Sequence, residues 1–201
     1  GITERMKGLG AGLHPLLHTH PRGQTVLAGL ANHRSDMVRA LAVYALHANP
    51  ALPLAQRVAL TRPFATDPNM AVREGAWDAL RPHLAADLLP ALALLTPWVT
   101  DADPNIRRCA IEATRPRGVW TQSIAALKAE PWLALALLDP MKAEAVPYPA
   151  RAVGNWLNDA SKSQPDWVRD LGARWLAESP VPATRWLVKH ATRTLTKRAQ
   201  G

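Results

Sequence analysis

The sequence predicts an all-α chain, a solenoid of stacked helical repeats, and three observations carry that prediction. Three segments align without gaps: "VRALAVYALH" from Val38, "VREGAWDALR" from Val72 and "IRRCAIEATR" from Ile106, so the starts advance by one constant step. Each has an aliphatic residue, then arginine, then two alanines three positions apart. Small residues at that spacing share one helical face and let a neighbouring helix approach closely. No stretch has the period-two alternation of a strand.

Taken in order, the segment 1–22 is the least determined. Gly8, Gly10, Gly12, Pro15 and Pro21 argue against a long helix there. The repeats begin after Asp36, and Asp67 and Asp103 precede the next two, each inside "DPN". An aspartate cap followed by proline in the first turn is a helix start. Other apolar helical stretches lie at roughly 53–63, 86–98 and 121–130, so each repeat is a helix pair. One pair cannot bury its apolar face, so neighbours must stack. The same period also suits a tetratricopeptide repeat, but the tryptophan, glycine and tyrosine of that consensus are missing. Aspartate, a short gap, "VR" and spaced alanines resemble HEAT repeats. Beyond them, "ARAVGNWLNDASK" (150–162) and "TRWLVKHATRTLTK" (184–197) read as later helices of the same kind. Ser163 and Asp166 suit a capping box for the helix between them. No linker divides the chain, so residues 1–201 are expected to form a single HEAT-like-repeat domain.

Composition sets the class of partner. Lysine and arginine total 24 against 16 acids, a formal charge of +8. That favours an anionic partner, nucleic acid first. No apolar run reaches spanning length, no basic amphipathic helix stands apart, and the N-terminus does not read as a signal peptide. The one cysteine, Cys109, fits a reduced, cytoplasmic compartment and a buried helical position.

Arg39, Arg73 and Arg107 recur at one offset in the repeats. They suit either a row of phosphate contacts or pairing with aspartates of adjacent loops. Arg108, Arg115, Arg117, Arg151, Lys162, Arg185, Lys189 and Arg193 add to them. On the concave side of a curved solenoid such residues would track a phosphate backbone, and the planar fork of arginine suits phosphate. Aromatic content is lopsided, with eight tryptophans against two tyrosines and one phenylalanine. Trp98, Trp132, Trp167 and Trp175 read as packing between helices. Trp156 and Trp186 suit packing or contact equally. Trp120 follows a chain break, "RPRG", at the mouth of a helix. His14, His18 and His20 lack an acidic or cysteine partner nearby, so no metal is expected, and no phosphate-binding loop or serine-nucleophile motif is present. Glu112 stands four residues after Arg108 and three before Arg115, and Asp159 three before Lys162. Simple surface pairing would account for both acids.

"EATRPRGVW", followed by "NWLNDASKSQPDW", resembles the AlkC branch of the HEAT-like-repeat DNA alkylation repair proteins, related to AlkD. The similarity runs from about "HRSDMVR" at His33 to "TRWLVKHATRTL" at Leu195. The resemblance implies an α-solenoid that binds double-stranded DNA in a basic concave groove as a monomer. It also implies a monofunctional glycosylase, without cofactor, that excises cationic alkylated bases such as 3-methyladenine. By the same resemblance Asp159 is the principal catalytic carboxylate, Glu112 a second active-site acid and Trp120 the aromatic wall beside the lesion. These residue types fit the chemistry. A cationic base departs without a general acid, whereas the deoxyribose becomes oxocarbenium-like and needs a fixed negative charge. One departure stands out: Trp77 occupies the place of an acid expected just before Arg81–Pro82. Glu74 and Asp78 lie within a turn of it, and Asp78 stands one repeat before Glu112. The immunoglobulin-like extra domain of some relatives is not expected. Two other readings stay open: a non-catalytic binder of unusual DNA on the same scaffold, and a scaffold for an acidic peptide.

Overall fold

Proline sets where many of the helices begin. Asp103 accepts the amide of Asn105 at 2.8 Å, and Pro104 opens a helix. Pro147, Pro165 and Pro182 each occupy a first turn, where a missing N–H costs nothing. The computed structural model describes residues 1–118 and 120–199. Among them are thirteen α-helices: α1 (Ile2–Thr19), α2 (Gly23–Ala31), α3 (Asp36–His47), α4 (Leu54–Ala65), α5 (Met70–Ala86), α6 (Leu88–Leu95), α7 (Pro104–Ala113), α8 (Ala125–Ala129), α9 (Leu135–Leu138), α10 (Pro147–Ala160), α11 (Pro165–Glu178), α12 (Pro182–Ala191) and α13 (Arg193–Ala199). Short 3₁₀ turns occupy Thr96–Thr100, Pro131–Ala134 and Asp139–Met141. No described residue is in a strand, and the fold class is the expected all-α solenoid. No described helix is long and apolar enough to cross a membrane.

Several boundaries depart from the sequence reading. The N-terminal segment is an 18-residue helix despite its glycines. Gly10 explains why: a Cβ there would stand 2.6 Å from Tyr44, so glycine serves close packing of α1 on α3 rather than a chain break. The second "DPN" acts as predicted. At the first, Asp67 accepts the Asn69 amide, but Asn69 in turn accepts from Ala71 and α5 begins at Met70. The Ser163–Asp166 box does not form. Ser163 instead accepts a hydrogen bond from Arg117 (2.7 Å), and Asp166 pairs with Arg169. The helix expected over 121–130 shrinks to α8, and that over 184–197 breaks at Thr192 into α12 and α13.

The chain divides into two compact units, Gly1–His83 and Leu84–Gly201. In the first, Met6, Val43, Tyr44, Phe64, Val72 and Ala76 form one apolar cluster. Beside it Arg57 is buried, donating to the backbone carbonyls of His47 (2.7 Å) and Asn49 at the C-terminal end of α3. The partial negative charge of that helix end favours the cation. The rings of His47 and His83 stack 5.7 Å apart in the same cluster. His47 Nε2 lies 2.9 Å from Thr61 Oγ1, whose own hydroxyl donates to the Arg57 carbonyl, so Nε2 is the donor. His47 Nδ1 is buried without a hydrogen-bond partner. Burial first, then His83 and Arg57, push His47 down from 6.5 to about 3, and burial and Arg57 lower His83 as well.

That arrangement fixes a pH response. The unfolded chain takes up protons near 6.5 that the folded chain refuses. Stability is therefore complete above that pH and falls as pH drops through the window from 6.5 to about 3. The His47 contribution lost by pH 5 is about 2 kcal/mol. Urea melts at pH 7.5 and pH 5 should show it, and His47→Gln should flatten the difference. A midpoint equal at both pH values for the unaltered protein would contradict it.

The core of the second unit holds Leu95, Ile106, Ile111, Leu127, Leu138 and two fully buried indoles, Trp156 and Trp175. α10 packs on both α7 and α12. Trp156 secures the first contact, donating from Nε1 to the Thr114 carbonyl at 2.9 Å. Trp98 and Trp175 pack between helices as expected, and Trp167 is half-buried against Trp156. Trp132 does not: it sits on a 3₁₀ turn opened by Pro131 and keeps much of its ring exposed.

Candidate active site

Glu112 is the penultimate residue of α7 and Asp159 the penultimate residue of α10. Both carboxylates are buried, at 3% and 4% exposure. Each lies where its helix presents unpaired carbonyls and partial negative charge, a place that favours cations and makes an extra anion costly. Three cations answer that charge. Arg115 bridges the two acids: Nε and Nη2 donate to Asp159 Oδ2 at 2.9 and 2.7 Å, and Nη1 to Glu112 Oε2 at 3.2 Å. Arg108 holds Glu112 Oε1 at 3.1 Å and lies 4.1 Å over the ring of Tyr148. Lys162 holds Asp159 Oδ1 at 3.1 Å. Burial opposes the Arg115 charge, but Glu112 and Asp159 together raise its pKa above the ordinary value.

The loop after α7 carries the candidate indole. Arg117 donates to the Asp159 carbonyl (3.3 Å) and to Ser163, tying the loop to the end of α10. The Ile124 amide donates to the Pro116 carbonyl at 3.1 Å and closes the loop. Gly118 is required here, since a Cβ would lie 2.0 Å from the Thr121 oxygen. Trp120 stands in this loop with its indole 45% exposed.

The recurring arginines are occupied in loops. Arg39, Arg73 and Arg107 each donate from Nη1 to the carbonyls six and five residues earlier: His33 and Arg34, Asp67 and Pro68, Asp101 and Ala102. Arg39 also forks onto Asp67 and Arg107 onto Glu144. Of the two uses that their offset allows, Arg39 shows the pairing with an aspartate of the next loop. Arg151, Arg185 and Lys189 are exposed, with Arg185 donating to the Pro180 carbonyl. Arg193 donates to Asn155 Oδ1 at 2.9 Å.

In the first unit, Trp77 is buried and Glu74 half-buried. Asp78, the acid in register with Glu112, is fully buried, accepting from Tyr44 at 3.0 Å with Lys7 at 3.4 Å. It has no open face toward a substrate. His14 and His18 lie 5.8 Å apart ring to ring. Among the described residues, no group of three or more His, Cys, Asp or Glu is placed to share a metal ion.

No protein-family model matches the chain. A stretch of 79 residues is 38% identical to part of the uncharacterized protein YhaZ of Bacillus subtilis, covering 39% of this chain and 22% of that protein. Among solved structures, the chain is similar to the Pseudomonas fluorescens alkylpurine DNA glycosylase AlkC bound to DNA containing an abasic site analog. The TM-score is 0.59 at 27% identity, over 97% of this chain and 62% of that one. The chain thus spans about a fifth of the curated relative and under two thirds of the AlkC chain. Its fold is AlkC-like.

Proposed function

We propose that the protein is a monofunctional DNA glycosylase that releases cationic alkylated bases, such as 3-methyladenine, from double-stranded DNA. The observation that carries this reading is the pair of buried carboxylates at two helix C-termini, bridged by one guanidinium, in a fold similar to AlkC. Two acids and two negative helix ends converge there, offset by Arg108, Arg115 and Lys162, so the site suits positive charge once one of those cations withdraws. The base of the substrate is already cationic. When its bond to C1′ breaks, the electron pair leaves with the base, which departs neutral, and the sugar becomes an oxocarbenium ion. Asp159 stabilises that ion and orients water for attack on C1′, and the water's proton passes to the carboxylate or to solvent. Lys162 is the cation most able to yield. It holds one oxygen and is 35% exposed, against 13% for Arg115. A DNA phosphate competing for its ammonium uncovers Asp159 Oδ1. The exposed Arg151, Arg185 and Lys189 are the remaining phosphate contacts of choice.

The test is incubation with methylated duplex DNA and chromatography of released bases, with affinity measured across a salt series. Release of 3-methyladenine, with affinity falling steeply as salt rises, is expected. Salt-dependent binding without release makes the protein a non-catalytic DNA binder. Trp120→Ala should lower release by more than it lowers affinity for undamaged duplex, because the indole meets the lesion while cations supply general affinity. Equal losses in both would remove Trp120 from the lesion contact.

A further inference from the structure

Trp186 is the unexplained residue of α12. Thr184, Leu187 and Ala191 bury the inner face of that helix, while the Trp186 indole stays 44% exposed. The ring is nevertheless held in place. One turn on, the His190 ring lies parallel to it, with 8° between planes and 4.9 Å between centroids. His190 is fixed in turn against α10: its Nε2 lies 3.0 Å from Asn155 Oδ1, and a Cβ on Gly154 would stand 2.5 Å from its Cδ2. Arg193 donates to the same Asn155 oxygen and, at 2.6 Å, to the His190 carbonyl. Since that amide oxygen is an acceptor, His190 donates from Nε2, as the neutral Nε2–H tautomer does. Burial, Arg193 and Arg151 favour the same state, lowering its pKa. The result is a flat apolar plane with a preset orientation, one face covered by histidine.

Its surroundings define what it would meet. α12 carries no acidic residue, and Arg185 and Lys189 on it are exposed, as is Arg151 on α10. The plane is linked to the carboxylate site through His190 and Asn155. Asn155 and Asp159 are four residues apart on α10 and so share a face. Arg193, bonded to Asn155, feels the charge of Asp159. A ligand that suits both features is planar, π-faced and joined to anions.

We propose that the Trp186–His190 stack is a platform for an unpaired nucleobase of DNA held at the Asp159 site. This rests on the reading of the second unit as a DNA-binding surface. The base stacks on the open face of the indole while its flanking phosphates meet Arg151, Arg185 and Lys189. A plane fixed beforehand by His190 loses little freedom on binding, and stacking on an aromatic is tolerant of base identity. Phosphate contacts alone would not require the indole.

The probe is a duplex with an abasic-site analogue opposite 2-aminopurine, compared with the same duplex in which 2-aminopurine is paired with thymine. The unaltered protein should quench the unpaired fluorophore. Trp186→Ala and Trp186→Leu should each lose that quenching and about tenfold in affinity for the abasic duplex, while Trp186→Phe keeps most of both. The salt dependence of affinity should not change in any of the three, and affinity for the fully paired duplex should change little. Melting curves check that each variant is folded, and leucine, which keeps apolar cover without a π-face, separates stacking from packing. Unchanged quenching and affinity in the alanine variant, equal losses on both duplexes, or leucine equal to phenylalanine would each overturn the platform. If Trp186-dependent binding is found but no alkylated base is released, the glycosylase reading fails and the platform stands. If base is released and Trp186→Ala binds and quenches normally, the platform alone fails. A protein that binds neither duplex overturns both.

Discussion

Asp159→Asn should slow release of 3-methyladenine by about 100-fold or more, with affinity for undamaged duplex retained or slightly raised. The substitution keeps the shape of the side chain and removes its charge. The amide oxygen can still accept from Arg115, which keeps its bond to Glu112. The amide nitrogen then faces Lys162, donor against donor, so the lysine is freed toward phosphate. Single-turnover release and equilibrium binding on one methylated duplex separate the two effects. Glu112→Gln should follow the same pattern more mildly, since Arg108 and Arg115 both hold that acid. Release at the unaltered rate in Asp159→Asn would take the catalytic role from this residue and leave Glu112 as the acid to examine.

Arg115→Ala should destabilise the fold rather than merely weaken DNA binding. The guanidinium is nearly buried and makes three bonds to two buried carboxylates. Its removal leaves Asp159 to Lys162 and confronts two acids at neighbouring helix ends. Breaking a buried pair from one side costs about 3–5 kcal/mol. For a chain of this size that is a fall in Tm of roughly 6–20 °C. Neutralising both acids in the same background, with Glu112→Gln and Asp159→Asn, should recover much of the loss. Lys189→Ala, on the exposed face of α12, should leave Tm unchanged. An Arg115→Ala protein that melts like the unaltered one, but binds DNA with a shallower salt dependence, would make this arginine a phosphate contact, as the sequence reading had it.

The contrast between those two roles shows what spacing along a chain conveys. The pairs within one helix turn were legible: Glu112 with Arg108 and Arg115, and Asp159 with Lys162, are all i,i+3 or i,i+4 neighbours. The bond from Arg115 to Asp159 spans 44 residues, and nothing local announces it. The constant step between repeats was legible as helix pairs because alanine spacing is a property of one helix face. The use of its arginine was legible only as a choice between phosphate and loop aspartates, because carbonyls five and six residues back are reached only once a loop has turned. In sequence Gly10 reads as a breaker, because sequence shows the missing side chain and not the neighbouring helix that needs the space. The stack of Trp186 on His190 lies at plain i,i+4 spacing, but which face of α12 is buried depends on where α10 lies.

The arginine joints also bear on how such a chain can change length. Arg39 reaches forward 28 residues to Asp67, and Arg107 reaches forward 37 to Glu144. Both anchor backward to the same two carbonyl positions. The joint therefore indexes one helix start to a later acid without fixing the number of residues between them. Helices in that interval can be trimmed, split or replaced by 3₁₀ turns, as Pro131–Met141 is, while the junction keeps its geometry. A lineage built this way can lose its numerical period long before it loses its architecture. Insertions and deletions should be tolerated between the partners of a joint and penalised in the short loop just ahead of each arginine.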